Sequence, residues 1–396
     1  MFNPYDYPDT PDLKQCDWHQ ADLAIKGFEL LDAHSFHWPS TFTRETPADL
    51  SIDRLRSKKD IYTQLHSSLL PLLQQHFNRI AEDLDDLIGL RKDPRPKIQR
   101  VLEIQPNLHQ ILDQVIRAIQ EIIPGNVPQP SPTNDQHFEE FKCYRLDGLV
   151  DCIRGRLELN ISDFLYASRK IIEELKLPGW KARPTTLKSR PYLDSAFDCT
   201  IKWLKGSELQ IILDAWEDSS RSLDNVSADN TYFHLTHPAF APPRSQAATQ
   251  LVRSTTPIIK LSNLFFDKLS RYQQMGRKQL PSFTEMSSHQ LYSLQISSEQ
   301  FRSALSQLVS HLQEVDDDPP ALDSYYVIRD IQSLSTCFRS LVPLVELYIA
   351  PLFPDVNGVS SQVYSKSWFI TWNTLFFTAT HNAIQAATVF AQNNHL

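Results

Sequence analysis

The chain has 396 residues, 41% apolar and 22% charged, an ordinary composition for a folding protein and a length that suits two cores better than one. A net charge of −8 leaves no surplus of Lys and Arg, which excludes a general nucleic-acid binder, since phosphate contacts need surplus cations. Only 9 glycines occur, roughly a third of the number expected at the usual ~7%, which argues against sheets and phosphate loops that rely on glycine for φ > 0.

Residues 1–17 are polar and proline-rich without periodicity and read as a disordered N-terminus, with no secretory signal. A first helix is predicted over Trp18–Ala33. From Ala48 to Leu90 the pattern is helical throughout, with Pro71 expected to kink it. Leu108, Ile111, Leu112, Val115, Ile119 and Ile122 follow the i, i+3, i+4, i+7 rule and place a helix over Pro94–Ile123. Asp135–Leu177 reads as one long helix or two in series. The Pro-, Gly- and Lys/Arg-bearing stretch 178–190 reads as a linker between an N-terminal bundle, 18–177, and a C-terminal bundle, 191–392.

Beyond the linker, helices are predicted over Pro191–Leu204, Ser207–Leu223, Ser245–Met275, Ser287–Val315, Pro320–Phe353 and Ser360–Gln392. Pro71, Pro257 and Pro343 each fall inside an apolar-periodic helix and are read as tolerated bends. No stretch reads as a strand bounded by turn signals, so the fold class is all-α: two packed bundles of long, partly Pro-kinked amphipathic helices.

Motifs for chemistry are sparse. Glu82, Asp83, Asp85 and Asp86 resemble half of a carboxylate metal motif, but no second acidic motif accompanies them, and a solvated helix face is expected. The pairs His34/His37 and His234/His237 lack a third ligand at zinc spacing. GxSxG, GxxxxGK[ST] and GxGxxG are all absent, so the common hydrolase, NTPase and dinucleotide sites are not expected, and neither a catalytic residue nor a cofactor is assigned.

Arg91, Lys92, Arg95, Lys97 and Arg100 gather around a helix start, where cations oppose the helix dipole; they are the candidate contact for an anionic partner. A second basic stretch runs from Arg169 to Lys205. The five cysteines are scattered and suit reduced, packed thiols in a reducing compartment, so a cytoplasmic or nuclear location is expected. After Lys366 no Asp, Glu, Lys or Arg occurs; Asn373, His381, Asn382 and Gln385 oppose a membrane anchor, and a helix buried on most sides is expected instead.

Several stretches resemble a large, uncharacterised family of helical proteins from rust fungi. They are Arg100-Val-Leu-Glu-Ile-Gln105, Phe138-Glu-Glu-Phe-Lys142-x-Tyr144-Arg-Leu146, Trp203-Leu-Lys-Gly-Ser-Glu-Leu209, Pro257-Ile-Ile-Lys-Leu-Ser262 with Leu264-Phe-Phe266, Leu280-Pro-Ser-Phe-Thr-Glu-Met286, and Trp372-Asn-Thr374. The resemblance spans nearly the whole chain and implies family membership, without an activity or a site. The Pro-Ile-Ile-Lys-Leu stretch and the helix layout are more distantly similar to cyclin-D-interacting helical-bundle proteins, which bind transcription and cell-cycle regulators. With the chemical motifs eliminated, the expected function is a non-enzymatic scaffold or adaptor that binds an unidentified protein through a helix face or groove. The competing readings are a helical enzyme or lipid/metabolite binder with an inter-helix pocket, and an anionic-surface binder using the Arg91–Arg100 cluster.

Overall fold

The computed structural model describes residues 15–33, 52–123, 134–177, 188–225, 245–276, 280–315, 320–352 and 361–393. Most of the N-terminal segment read as disordered, most of the linker 178–190, and both histidine pairs lie outside them. Among the described residues every regular element is helical and no strand occurs, as the glycine poverty and 3.6-residue periodicity predict. The chain divides into two compact units, one of residues 1–129 with 145–206, the other of residues 130–144 with 207–396.

In the first unit α1 (Gln15–Asp32) packs on α5 (Pro94–Ile122) and α7 (Glu158–Leu175), while α3 (Leu70–Asp85) packs on α5 and α8 (Arg190–Lys205). The sequence reading assigned α8 to the second bundle. Its Leu193, Ala196, Phe197, Thr200 and Leu204 recur every three or four residues and bury into the first unit's core, where the Phe197 ring lies 6.2 Å from Phe77. Phe77 in turn meets Phe164 edge-on at 5.3 Å. Gly27 admits the Gln105 amide where α1 crosses α5: a Cβ there would fall 2.2 Å from that side chain, which donates to Ala24 O at 2.8 Å.

Pro71 produces the expected irregularity in a specific form. α2 (Ile52–Gln64) passes into α3 through a π-turn, Leu65–Leu69, two residues before the proline. Pro71 has no N–H and its ring crowds the carbonyl four residues back, so one extra residue in the turn relieves the ladder there. In the second unit the π-turn Val345–Ile349 stands in the same register to Pro351. Pro106, Pro257 and Pro343 instead lie inside uninterrupted helices.

The second unit is a ring of helices. α9 (Glu208–Asn225) packs on α10 (Gln246–Gly276) and α11 (Ser288–Gln313), α11 on α12 (Pro320–Leu344), α12 on α13 (Ser361–Asn393), and α13 back on α10. Aromatic rings fill it: Phe265, Phe301, Phe338, Trp372 and Phe376 are all nearly inaccessible, and Phe338 lies within 5.2 Å of Phe265, Phe301, Trp372 and Phe376. Both core indoles have acceptors for their N–H, Trp372 on Leu261 O at 2.8 Å and Trp216 on Leu294 O at 2.9 Å.

α13 differs from the expectation of a helix buried on most sides. Phe369, Trp372, Phe376, Ala379, Ala383, Ala387 and Phe390 form one buried stripe, and the opposite face is exposed. The sequence lacks the charges that usually mark an outward face, so composition alone did not reveal it.

Candidate functional site

The acidic run and the basic cluster answer one another within the first unit. Asp83 is 9% exposed, not solvated as expected, because Arg100 clasps it through Nε at 2.9 and 3.1 Å and through a guanidinium N–H. Asp86 caps α4 (Leu87–Lys92), accepting from Gly89 N at 3.0 Å, and also holds Lys97, whose ammonium donates to the Asp86 carbonyl at 3.1 Å as well. The Lys97 hydrogen bond, followed by that of Gly89, holds the Asp86 carboxyl below the usual range. Asp85 faces Arg190 at 3.6 Å.

Of the five candidate cations, Lys97 and Arg100 thus have acidic partners inside the chain, Arg91 is half-buried, and Lys92 and Arg95 are exposed. At the start of the second basic stretch, Arg169 lies 3.3 Å from Glu173, Lys170 2.7 Å from Glu173, and Lys176 on Asp22. No group of three or more His, Cys, Asp or Glu among the described residues is placed to hold a metal.

A buried polar node in the second unit is the feature sequence reasoning missed. Lys142 and Glu208 are fully inaccessible and meet at 2.9 Å. The same Glu208 oxygen accepts from Thr284 N and Thr284 Oγ1, both at 2.7 Å, and Lys142 also donates to Thr284 O at 2.7 Å. Nearby, Asp135 accepts from Ser288 N at 2.8 Å and Cys143 N at 2.9 Å, serving the N-termini of α11 and α6 (Cys143–Cys152) with one carboxylate. Burial pushes the Asp135 carboxyl up, but the bonds from Ser288 and Cys143 outweigh it and leave it below the ordinary range.

Three of the stretches that carry the resemblance meet at this node: Phe138–Leu146 through Lys142, Trp203–Leu209 through Glu208, and Leu280–Met286 through Thr284. Lys142 and Glu208 are closed to solvent, and within the second unit their charges and the Thr284 groups engage one another. A lysine between phenylalanine and tyrosine was the available signal.

A second set of contacts ties α6 to α8 in the first unit. Arg145, 2% exposed, donates to Gly206 O, Trp203 O and Leu204 O at 2.9, 2.7 and 3.1 Å, gathering carbonyls that the end of α8 leaves unpaired. One turn on, Gly148 lies against the Trp203 ring, where a Cβ would stand 2.3 Å away. A further turn on, Cys152 and Cys199 are placed together as a disulfide pair, a proximity of which spacing in sequence carries no sign.

Two surface features remain, both in the second unit. His311 Nδ1 lies 2.6 Å from the buried Asp330 carboxylate, with its ring stacked on Tyr326 at 4.9 Å, beside an open groove of about 670 Å³ lined by Gln300, Ser303, Gln307, Ser333, Thr336 and Cys337. The other is the exposed face of α13, where Val363, Ile370, Leu375 and Val389 are each at least half exposed. Thr371, Thr374, Thr378 and Thr388 share that face, and their hydroxyls donate back to Ser367, Ile370, Thr374 and Ile384 carbonyls at 2.8–3.0 Å. The threonines therefore turn methyl groups outward, and the face is more apolar than its letters suggest. Among the described residues no helix is long and apolar enough to cross a membrane.

Residues 58–207 match the family model Domain of unknown function (DUF8723), and residues 207–385 match Domain of unknown function (DUF8721). No curated protein and no solved structure matches the chain. The two matches meet at Ser207, one residue after the second stretch of the first compact unit ends, so each half of this chain is similar to its own family of unknown function.

Proposed function

We propose that the chain is a non-enzymatic helical scaffold or adaptor that binds another protein through the exposed face of α13. The observation that carries this reading is the face itself: uncharged from Ser367 onward, with Ile370, Thr371, Thr374, Leu375, Thr378, Thr388 and Val389 exposed beside the neutral polar His381, Asn382 and Gln385, and with its threonine hydroxyls bonded inward. Exposed helix faces ordinarily carry Lys, Arg and Glu, whereas the cores of protein interfaces are depleted of charge. β-Branched residues are also weak helix formers, so an exposed row of them contributes little to the free chain.

The more distant similarity to cyclin-D-interacting helical bundles, which bind other proteins, favours the same reading, in a cytoplasmic or nuclear setting. The test is affinity purification of the full chain beside a Thr374→Glu/Thr378→Lys variant, with helicity checked by circular dichroism. Partners that recognise this face are lost from the variant while its fold is kept. An identical partner set for the two proteins would remove the face from the proposal.

A further inference from the structure

We propose that Cys152 and Cys199 are a reversible thiol–disulfide modification site, which exchanges electrons with low-molecular-weight disulfides such as glutathione disulfide and adds or removes the third rung between α6 and α8.

The first support is the ladder that the pair belongs to. Arg145 on the 203–206 carbonyls and Gly148 against the Trp203 ring set the register of the two helices without any covalent bond. Tyr62 holds the same end of α8 by donating to Leu204 O at 2.6 Å. The cysteines, with Cα atoms 6.5 Å apart, are consequently held within bonding reach in either redox state. Reduction removes a staple and leaves the interface standing, which is the condition for a switch that resets.

Exposure supplies the order of events. Cys199 is half-buried, whereas Cys152 is 5% exposed, so Cys199 is the one placed to meet a small disulfide first. The Cys199 thiolate attacks a sulfur of glutathione disulfide, forming a mixed disulfide and releasing one glutathione thiolate. The Cys152 thiolate then attacks Cys199 Sγ, closing the internal bond and expelling the second glutathione. Two cysteine protons and two electrons pass to the small disulfide, and the reverse exchange restores both thiols. Cys337 has no such role: it is not in a disulfide, and burial pushes its thiol up, away from the reactive thiolate.

The experiment equilibrates the full-length protein in glutathione/glutathione disulfide mixtures, traps free thiols by alkylation, and reads the Cys152 and Cys199 peptides by mass spectrometry beside the melting temperature. The expected result is one reversible transition to the internal disulfide, with the melting temperature of the first unit rising by several degrees on oxidation, because the bond closes a loop of 47 residues' separation. Cys199→Ser is expected to melt like the reduced wild type and to ignore the buffer. Accumulation of glutathione adducts without the internal bond would overturn the proposal. A bond that survives the most reducing mixture, or a melting temperature indifferent to redox state, would do the same.

Discussion

Removing one partner of the Lys142–Glu208 pair should destabilise the second unit more than any surface change. Both side chains are inaccessible, and their partners are fixed backbone or side-chain groups. In Glu208→Gln the shape and the Thr284 contacts survive, but the Lys142 ammonium stays buried without a counter-charge. In Lys142→Met the carboxylate remains, supported only by the two Thr284 donors. Each substitution should cost about 3–5 kcal/mol, the range for breaking a buried ion pair. The pair itself contributes much less, because both charges were desolvated to form it. The double variant Lys142→Met/Glu208→Gln should therefore recover at least ~1.5 kcal/mol of the summed single losses.

Urea titration reads this directly. With a slope of ~1–3 kcal/mol/M, a loss of ~3 kcal/mol lowers the midpoint of the affected transition by ~1–3 M. Hydrogen exchange resolved to the α9 and α11 peptides assigns that transition to the second unit. Single variants costing below ~1 kcal/mol, or a double variant equal to the sum of the singles, would show that the charges are not the organising interaction.

Gly148→Ala should lower the melting temperature, at about 1–3 kcal/mol for overpacking against the Trp203 ring; Gly155→Ala, whose Cβ meets nothing within 4 Å, should be neutral or slightly stabilising. His76 is 7% exposed, and burial, then Arg79, lowers its pKa from 6.5. The unfolded chain thus binds the proton more readily, and His76's contribution, fully present above pH 6.5, is lost as pH falls toward the depressed folded value. Melting temperature plotted against pH should fall on the acid side, and less steeply in His76→Gln; parallel slopes would clear His76 of that role. Asp83→Asn with Asp86→Asn should release Arg100 and Lys97 and increase salt-sensitive retention on anionic vesicles. Equal retention of the wild type would mean that the internal pairing does not restrain the cluster.

The helices were legible because each core position returns every three or four residues, as Leu108, Ile111, Leu112, Val115, Ile119 and Ile122 do along α5. What periodicity does not carry is which helices pack on each other. α8 follows a break rich in proline and glycine and was placed with what comes after it, yet its apolar stripe and its C-terminal carbonyls are received by Phe77, Tyr62 and Arg145 of the first unit. Lys142 escaped notice for a related reason. Its counter-charge Glu208 lies 66 positions away, and no local pattern records a pairing at that separation.

Of the leads that composition raises, the acids at 82–86 read as a solvated helix face and the cations at 91–100 as the candidate contact for an anionic partner. The turn at Asp86 folds α4 and the start of α5 back so that Asp83 meets Arg100 and Asp86 meets Lys97. Cations at a helix start oppose its dipole, and here acids one element earlier offset that penalty without any outside anion. The same reasoning applied to α13 gives the opposite result. Its outward β-branched residues cost helix propensity, and no neighbour among the described residues of the second unit covers them. Asp83 and Asp86 thus engage Arg100 and Lys97 within the chain, while the outward face of α13 is the surface on which the proposed scaffold function rests.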